Sequence, residues 1–370
     1  THSGKLAPLI KLMMIPDSWS KRSKTVPKNH QDLFNFLNST IEPWDGPAAI
    51  CATDAKWVLA SSDRNGLRPL RYSITSDNLF FAGSETGMIK IPEENIIEKG
   101  KLGPGQIIAI DLKKGKLFKD KEIKDLLAKD YKKYNKQIID LEKKISSEDE
   151  KPNFLSEDLR KRQYLSGLSI EDLELILHPM AEEGKEASGS MGDDTPVAVL
   201  SSHFRPVSHY FRQNFSQVTN PPIDSLRENK VMSLKTRFGN LGNILDFDNL
   251  TEDNIYVLDS PILTNSQFKK FKKFFSKRIK VIDCTFDIEG SLRERIRLIR
   301  EEAETAVREG STCLVLSDKN ISSQKASIPS ILTVGAVHSH LVKHGLRGYC
   351  SLNVECSDAM DTHSFAILIG

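Results

Sequence analysis

The strand-like segments of this sequence change character partway along the chain. Between Gly46 and Leu112, short β-rich runs are separated by turn residues at near-hairpin spacing, and this spacing predicts an antiparallel sheet. The runs are AAICATD, WVLASSD, RYSITSD, LFFAGSE and QIIAIDL. Apolar faces at residues 5–14 and 31–37 predict two helices before the first strand.

Beyond Asn153 the apolar runs become nearly continuous and alternate with helical patterns, the clearest at Ser291–Glu309 and Ser330–His344. The predicted buried strands are TPVAVLSS, NIYVLDSPIL, IKVIDCTFD, TCLVLSD and GYCSLNVECSD, and IEDLELILHPMAEEG predicts a helix that ends at a glycine. Alternating strands and helices favour a mainly parallel sheet with helices on both faces. The second region is therefore predicted to be a three-layer α/β domain.

The segment Lys113–Lys151 is dense in charges of both signs, with apolar residues at three- and four-residue steps. This pattern predicts a solvated helix that docks through one apolar stripe. The polar run SSEDEKP predicts a linker at residues 146–152. The chain would thus contain one domain at residues 1–145 and another at 153–370, and 370 residues are enough for two hydrophobic cores.

Composition excludes several classes of partner. The formal charge is +2, from 52 basic and 50 acidic residues, so no strong field favours nucleic acid. No apolar run approaches the roughly 20 residues of a membrane-spanning helix. Five cysteines scattered through apolar runs are typical of reduced thiols in a cytoplasmic protein.

The stretch from Ser188 to Glu228 combines a glycine turn, a predicted buried strand, a predicted aromatic helix and a proline corner. The loop GSMGDDTP precedes a predicted strand and carries two carboxylates, whereas a phosphate-binding loop normally follows a strand and opens a helix. The corner Thr219-Asn220-Pro221-Pro222 is either a rigid loop or a face toward a neighbouring domain, and either proline could be cis. Asn220 and Pro221 are therefore candidate interface residues.

Other reactive side chains do not assemble into a site in the sequence. On a helix, His338 and His340 would be separated by about 200°, so that only His340 and His344 share a face. Two ligands without a third nearby donor make a poor zinc site. Cys350 and Cys356 have no further cysteine after them for an iron–sulfur cluster. Thr1 opens a polar stub, which does not fit a terminal nucleophile in a sheet core.

Eight segments spread along the chain are similar to glutamate synthase large subunits. They are MMIPDSW, EPWDGPAA, DRNGLRPLRY, GSMGDDTP, FSQVTNPPID, VMSL, IPSILTVGAVHSHL and FAILIG. The resemblance implies that the first domain is the later part of a class II glutamine amidotransferase, a partial N-terminal-nucleophile αββα sandwich. In that class a terminal cysteine thiolate attacks the glutamine amide, with its own α-amine as the base and an Asn-Gly pair as the oxyanion hole. The second domain would be the central domain, which lines part of the ammonia route.

The same resemblance places the family's nucleophile, oxyanion hole and glutamine-binding residues upstream of MMIPDSW. Cys51 is mid-strand and has no free amine, so it cannot replace the terminal cysteine. We therefore expect no catalytic, cofactor-binding or metal-binding residue in this chain. Asp63, Arg64, Asn65 and Arg68 resemble the turn beside the glutamine site, where a buried arginine, here Arg68, would support the site or form a structural ion pair.

The resemblance also implies what the parent enzyme would need. It would transfer the amide nitrogen of glutamine to 2-oxoglutarate, using flavin mononucleotide and a 3Fe–4S cluster that this chain should not hold. Its partners would be the flavin domain of the large subunit and either a small NADPH-linked subunit or ferredoxin. The family usually has two adjacent histidines where this chain has His363-Ser364, so the role of the second histidine is left open.

The sequence thus predicts an internal piece of a large subunit, ending before the flavin domain and inactive alone. Two alternatives stay open. One is another class II amidotransferase, although no phosphoribosyl loop or sugar-isomerase pattern follows the first domain. The other is a standalone scaffold without catalysis.

Overall fold

The computed structural model divides the chain into two compact units. The first contains residues 1–137 and 243–253, and the second contains residues 138–242 and 254–370. The structure describes residues 5–15, 26–40, 44, 46–129, 137–146, 156–189, 191–193, 195–202, 205–216, 223, 228, 232–238 and 254–370.

The first unit begins with the two predicted helices and continues with antiparallel strands, which confirms both predictions. Its helices are α1 (Ala7–Met14), α2 (Lys28–Thr40) and α3 (Asp120–Leu127). Its strands are β1 (Ala49–Thr53), β2 (Trp57–Ser62), β3 (Arg71–Thr75), β4 (Phe80–Gly83), β5 (Ile96–Lys101), β6 (Ile107–Asp111) and β7 (Lys116–Phe118). They form two antiparallel sheets, with the orders β1-β2-β6-β7 and β4-β3-β5.

Alternation along β2 and β6 explains how the layers of this unit stack. Leu59 and Ile107 face a core formed with α1, α2 and α3. Their strand neighbours Ala60 and Ile108 face the opposite side and pack with residues of the three-stranded sheet, among them Tyr72. Because side chains alternate between the two faces of a strand, β2 and β6 contact both neighbouring layers. The four-stranded sheet is thus covered by helices on one face and by the second sheet on the other.

The second unit has one parallel sheet at its centre. Strands β11 (Ile279–Asp283), β13 (Cys313–Ser317) and β15 (Ser351–Glu355) are parallel, in that order across the sheet. The remaining strands are β8 (Gln137–Asp140), β9 (Thr236–Phe238), β10 (Asn254–Leu258), β12 (Thr285–Asp287) and β14 (Lys325–Ser327). The pairs β9/β10 and β12/β14 are antiparallel, so the mainly parallel sheet of the prediction is restricted to three strands among the described residues.

The second unit contains seven α-helices among the described residues. They are α4 (Glu142–Ile145), α5 (Ser156–Leu165), α6 (His178–Glu183), α7 (Asn265–Phe274), α8 (Leu292–Arg308), α9 (Ser330–Lys343) and α10 (Thr362–Ile369), with a π-helical stretch at Asp172–Leu177 before α6. Leu314 and Leu316 of β13 pack in one core with α8 and α9. Cys313 belongs to another core, which contains Phe271 of α7. As predicted, α6 ends at Gly184, whose φ is +67°.

Three local predictions are wrong. The segment Lys113–Lys151 is not one helix, because its described residues contain β7, α3, β8 and α4. The run TPVAVLSS is not a buried strand, since Val199 and Leu200 are 99% and 97% exposed. The predicted aromatic helix is reduced, in its described part, to a 3₁₀ turn at Val207–Tyr210.

Residues 138–145 group with the second unit, although the sequence assigns them to the first domain. Strand β8 lies beside β10 in a three-stranded sheet, and Leu141 and Ile145 are buried with Phe271. The side chain of Gln267 donates a hydrogen bond to Glu142 at 3.1 Å across a separation of 125 residues. Residues 147–152 of the predicted linker lie outside the described residues, and the domain boundaries stay a prediction.

No described helix has both the length and the apolarity to cross a membrane.

Packing of α8 on the parallel sheet gives a stability prediction. Ile299 is fully buried, whereas the preceding Leu298 is 41% exposed. We expect Ile299→Ala to lower the free energy of unfolding by about 3 kcal/mol, because it removes buried methyl groups and leaves a cavity. The matched control Leu298→Ala should cost less than about 1 kcal/mol. Urea unfolding followed by circular dichroism measures both, and equal losses would contradict this packing.

Candidate functional site

The carboxylate of Asp63, directly after β2, organises the turn that the sequence singled out. Its Oδ1 accepts hydrogen bonds from the backbone N–H groups of Asn65 and Leu67, both at 3.0 Å. Its Oδ2 accepts from the N–H groups of Arg68 at 3.0 Å and Ala48 at 3.2 Å. Asp63 is 2% exposed. One buried side chain therefore binds four main-chain donors from two segments.

These donors also determine the charge state of Asp63. Burial alone would raise the pKa of its carboxyl group, since a low-dielectric environment disfavours the charged form. The backbone N–H groups of Arg68, Leu67, Ala48 and Asn65 outweigh burial and hold the pKa below the ordinary value. Asp63 is thus a carboxylate at neutral pH and acts as an acceptor, not as an acid.

A second turn, at residues 103–106, contacts the Asp63 turn. The backbone N–H of Gly105 donates to the carbonyl oxygen of Asp63 at 2.8 Å, and the Ser62 hydroxyl donates to the carbonyl of Gly103. Gly66 has a φ of +66°, and a Cβ there would lie 3.0 Å from a side-chain atom of Pro104. Only glycine fits this position, because it tolerates both the left-handed backbone and the close approach. The turn after β2 and the turn before β6 therefore contact each other directly.

Helix α1 is tied to the same place. The ammonium group of Lys11 donates to the carbonyl oxygen of Gly105 at 3.1 Å, and Lys11 is 5% exposed. Nothing in the sequence indicated this role, because Lys11 reads as a polar residue on an amphipathic helix.

The four candidate residues of the turn differ in burial. Asp63 and Arg64 are buried and Asn65 is half-buried. Arg68 is exposed, so the expectation of a buried guanidinium at this position is wrong. The physical reason is that Arg68 turns its backbone N–H, not its side chain, toward Asp63. The site-supporting role of Arg68 stays a prediction.

The proline corner cannot be placed, because Asn220 and Pro221 lie outside the described residues. The neighbouring loop is held by Arg205, whose guanidinium donates to the carbonyl oxygens of Asp193 at 3.3 Å and Thr195 at 2.5 Å. His363 of α10 is buried, and its Nε2 lies 3.0 Å from the carbonyl oxygen of Ser208. The structure thus gives His363 a specific backbone partner.

The cysteines do not form a reactive centre in the described residues. Each is a free thiol, with Cys284, Cys313 and Cys350 buried and Cys51 exposed. Burial raises the pKa of Cys284 and of Cys313 to about 12. A thiol with so high a pKa is a poor nucleophile at neutral pH.

Two family models cover most of the chain. Residues 1–136 match the glutamine amidotransferases class-II model, and residues 161–370 match the glutamate synthase central domain model. The first match agrees with a helix-covered antiparallel sheet that packs against a second antiparallel sheet, and the second match agrees with the α/β unit. The chain thus combines a class II amidotransferase region with a mixed α/β region.

Three relatives that match over nearly the whole chain are glutamate synthases. The chain is 51% identical over 377 residues to the glutamate synthase [NADPH] large chain of Azospirillum brasilense, covering 100% of this chain and 25% of that protein. It is 38% identical over 368 residues to the NADPH large chain of Bacillus subtilis, covering 97% and 24%. The chloroplastic ferredoxin-dependent glutamate synthase 2 of Arabidopsis thaliana is 37% identical over 383 residues, covering 100% and 23%.

This chain belongs to the glutamate synthase family, since the central domain model matches more than half of it. It spans about a quarter of the length of the relatives named above.

The Asp63 hydrogen bonds generate a second stability prediction. We expect Asp63→Asn to lower the free energy of unfolding by about 3 kcal/mol, because an amide has one acceptor oxygen and turns its NH₂ group toward backbone donors. Asp77→Asn, at an exposed position, is the matched control and should change stability by less than about 0.5 kcal/mol. Chemical unfolding at neutral pH compares the two variants.

The pH dependence of stability tests whether the charge of Asp63, and not only the size of its side chain, stabilises the fold. The pKa of Asp63 is lower in the folded than in the unfolded chain, so its stabilising contribution is present above about pH 4 and is lost as the pH falls through the folded value. The difference in stability between wild type and Asp63→Asn should therefore shrink below about pH 4. A difference that stays constant through that range would contradict the assignment.

Proposed function

We propose that this chain works as part of a glutamate synthase large chain, which transfers the amide nitrogen of glutamine to 2-oxoglutarate to make glutamate. The observation that carries the proposal is the similarity to a large chain of this kind over the whole length, at 51% identity. A continuous match across both compact units is difficult to reconcile with an unrelated arrangement of the same domains.

We assign the first unit to the later part of an αββα amidotransferase sandwich. In support, α1, α2 and α3 pack on one face of the four-stranded sheet, and the three-stranded sheet packs on the other. The second unit corresponds to the central domain. In support, its parallel sheet lies between α7 on one face and α8 and α9 on the other.

The chemistry of the proposed parent begins with attack of a terminal cysteine thiolate on the glutamine carboxamide. The C–N bond breaks, ammonia leaves, and water then hydrolyses the thioester to glutamate and free thiol. No residue of this chain is assigned to those steps. We assign Asp63, Arg64 and Asn65 to positioning: their turn, locked by four N–H donors, would form a rigid support beside the glutamine site. Arg68 is proposed to support the glutamine site, and Asn220 and Pro221 are proposed interface residues.

Cofactors and partners follow from the same proposal. Ammonia and 2-oxoglutarate condense to an imine with loss of water, and reduction of that imine to glutamate requires a hydride. The flavin mononucleotide of the parent would supply it, with a 3Fe–4S cluster as electron carrier. Relatives named for NADPH and relatives named for ferredoxin both match this chain, so either donor is compatible with it. We place the parent in the cytoplasm, and we propose partners among protein domains and not nucleic acid or membrane.

A chimera tests the proposal. The matching quarter of the Azospirillum brasilense large chain is replaced by these 370 residues, and glutamate formation from 2-oxoglutarate is measured with glutamine or with ammonia as the nitrogen source. We expect activity with both sources. A chimera that uses ammonia but not glutamine would show that the first unit does not support the amidotransferase site.

The chimera also tests the role of the Asp63 turn. Asp63→Asn should lower the glutamine-dependent rate by roughly 10- to 100-fold, because small displacements of a supporting loop misalign the reacting groups. The ammonia-dependent rate should be retained, which shows that the variant has folded. Asp77→Asn is the control and should keep both rates. Equal loss of both rates in Asp63→Asn would indicate a folding defect instead.

Unlike the chimera, the 370-residue chain alone is expected to be inactive toward glutamine. It contains no residue that we assign as nucleophile, so we expect no ammonia release from glutamine above a heat-treated sample. If the repurified chain still released ammonia from glutamine, the conclusion that none of its residues is the nucleophile would be wrong.

A further inference from the structure

Three metal-binding side chains converge between the helices α8 and α9. His340 and His344 lie four residues apart on α9, and Glu304 on α8 faces both of them. The Nε2 of His340 lies 2.7 Å from Oε2 of Glu304, and the Nδ1 of His344 lies 3.7 Å from Oε1. One donor atom from each residue falls within 4.8 Å of the others. The third donor that the histidine pair lacks in the sequence is thus supplied by another helix.

This donor set suits zinc. Imidazole nitrogen and carboxylate oxygen bind Zn²⁺ at about 2.0–2.2 Å, which places the donors of a tetrahedral site roughly 3.3 Å apart. The two separations run to different oxygens of Glu304, 2.7 Å from Nε2 of His340 to Oε2 and 3.7 Å from Nδ1 of His344 to Oε1. Three protein ligands leave one position for water. One donor atom from each residue lies within 4.8 Å of the others, so binding requires side-chain adjustments of roughly an ångström or more to reach that spacing.

The surroundings of Glu304 favour a ligand role. Arg308 donates from Nε to Oε1 of Glu304 at 2.9 Å. The other carboxylate oxygen, Oε2, faces Nε2 of His340. A partner that orients a ligand from behind is a regular feature of metal sites.

Arg300 opposes the metal. Its Nη2 lies 3.4 Å from Nδ1 of His340, where it donates to a bare ring nitrogen. When Nε2 binds a metal, the neutral ring carries its proton on Nδ1, so two donors would then face each other. Arg300 must rotate away for the ion to bind. This conflict provides a directional test, because a side chain that accepts from Nδ1 should tighten binding.

We propose that Glu304, His340 and His344 bind one zinc ion, which cross-links α8 to α9 in the second unit. The role is structural and is separate from the amidotransferase chemistry proposed above. An ion held by both helices stabilises the folded state, because the unfolded chain does not bring the three donors together.

The experiment titrates the metal-free 370-residue chain with Zn²⁺ against a chromophoric chelator, and with Co²⁺ for its absorption spectrum. Cys51→Ser serves as background, since Cys51 is the exposed thiol. We expect one equivalent bound, a raised Tm with Zn²⁺ and a tetrahedral Co²⁺ spectrum without a sulfur charge-transfer band. No binding, or a strong sulfur band, would overturn the proposal.

Variants locate the ion. His340→Ala and His344→Ala should each weaken binding at least about 10-fold, since even outer partners of a metal site contribute that much. Arg300→Gln should strengthen it. His338→Ala is the matched control, because His338 is an exposed histidine on the same helix, and it should bind as the background does. His344 is itself exposed, so its variant remains informative if His340→Ala fails to fold. Equal affinity in the background and both ligand variants would overturn the site.

Discussion

The buried carboxylate of Asp63 is the interaction on which the first unit depends. It binds main-chain donors before β1 and after β2, so it joins the two ends of a hairpin and the turn that leads to the second sheet. Its own carbonyl oxygen binds Gly105, which brings in the turn before β6. A burial cost that would be high for an isolated charge is offset because each carboxylate lone pair finds a donor. The resulting turn has little freedom to change shape.

Part of the fold can be read from the sequence because burial leaves a clear pattern. Strand β13 is apolar at consecutive positions, since both faces of the parallel sheet are covered, and it was identified correctly. The apolar run at residues 195–202 has the same pattern but almost no cover, and pattern alone does not show whether a partner exists. Lys113–Lys151 failed for the opposite reason. Its dense charges obscure the strand patterns of β7 and β8, and the strand beside β8 is β10, which lies more than 100 residues later in the chain.

The candidate sites, too, could be predicted from the sequence only in part. Asp63-Arg64-Asn65-Gly66 was recognisable because a turn with a positive φ has a chemical signature. Which side chains the turn buries was not recognisable, and Arg68 was misplaced for that reason. Likewise the pair His340 and His344 can be found by helical spacing, whereas Glu304 reaches them only through the packing of α8 on α9. The chemistry of a turn or of one helix face can be read from neighbouring residues. Side chains that come together from distant parts of the chain are identified only in the tertiary structure.

The hydrogen bond between Glu142 and Gln267 has a consequence for the order of folding during synthesis. The two residues are 125 positions apart, and β8 likewise lies beside β10. At ribosomal rates of about 5–20 residues per second, the segment 137–145 waits roughly 6 to 25 s for its partners to be made. The antiparallel strands β1 to β7 can pair in that interval, because all of them have already emerged. The seven strands β1 to β7 are therefore synthesised before the segment 137–145 has its partner strand.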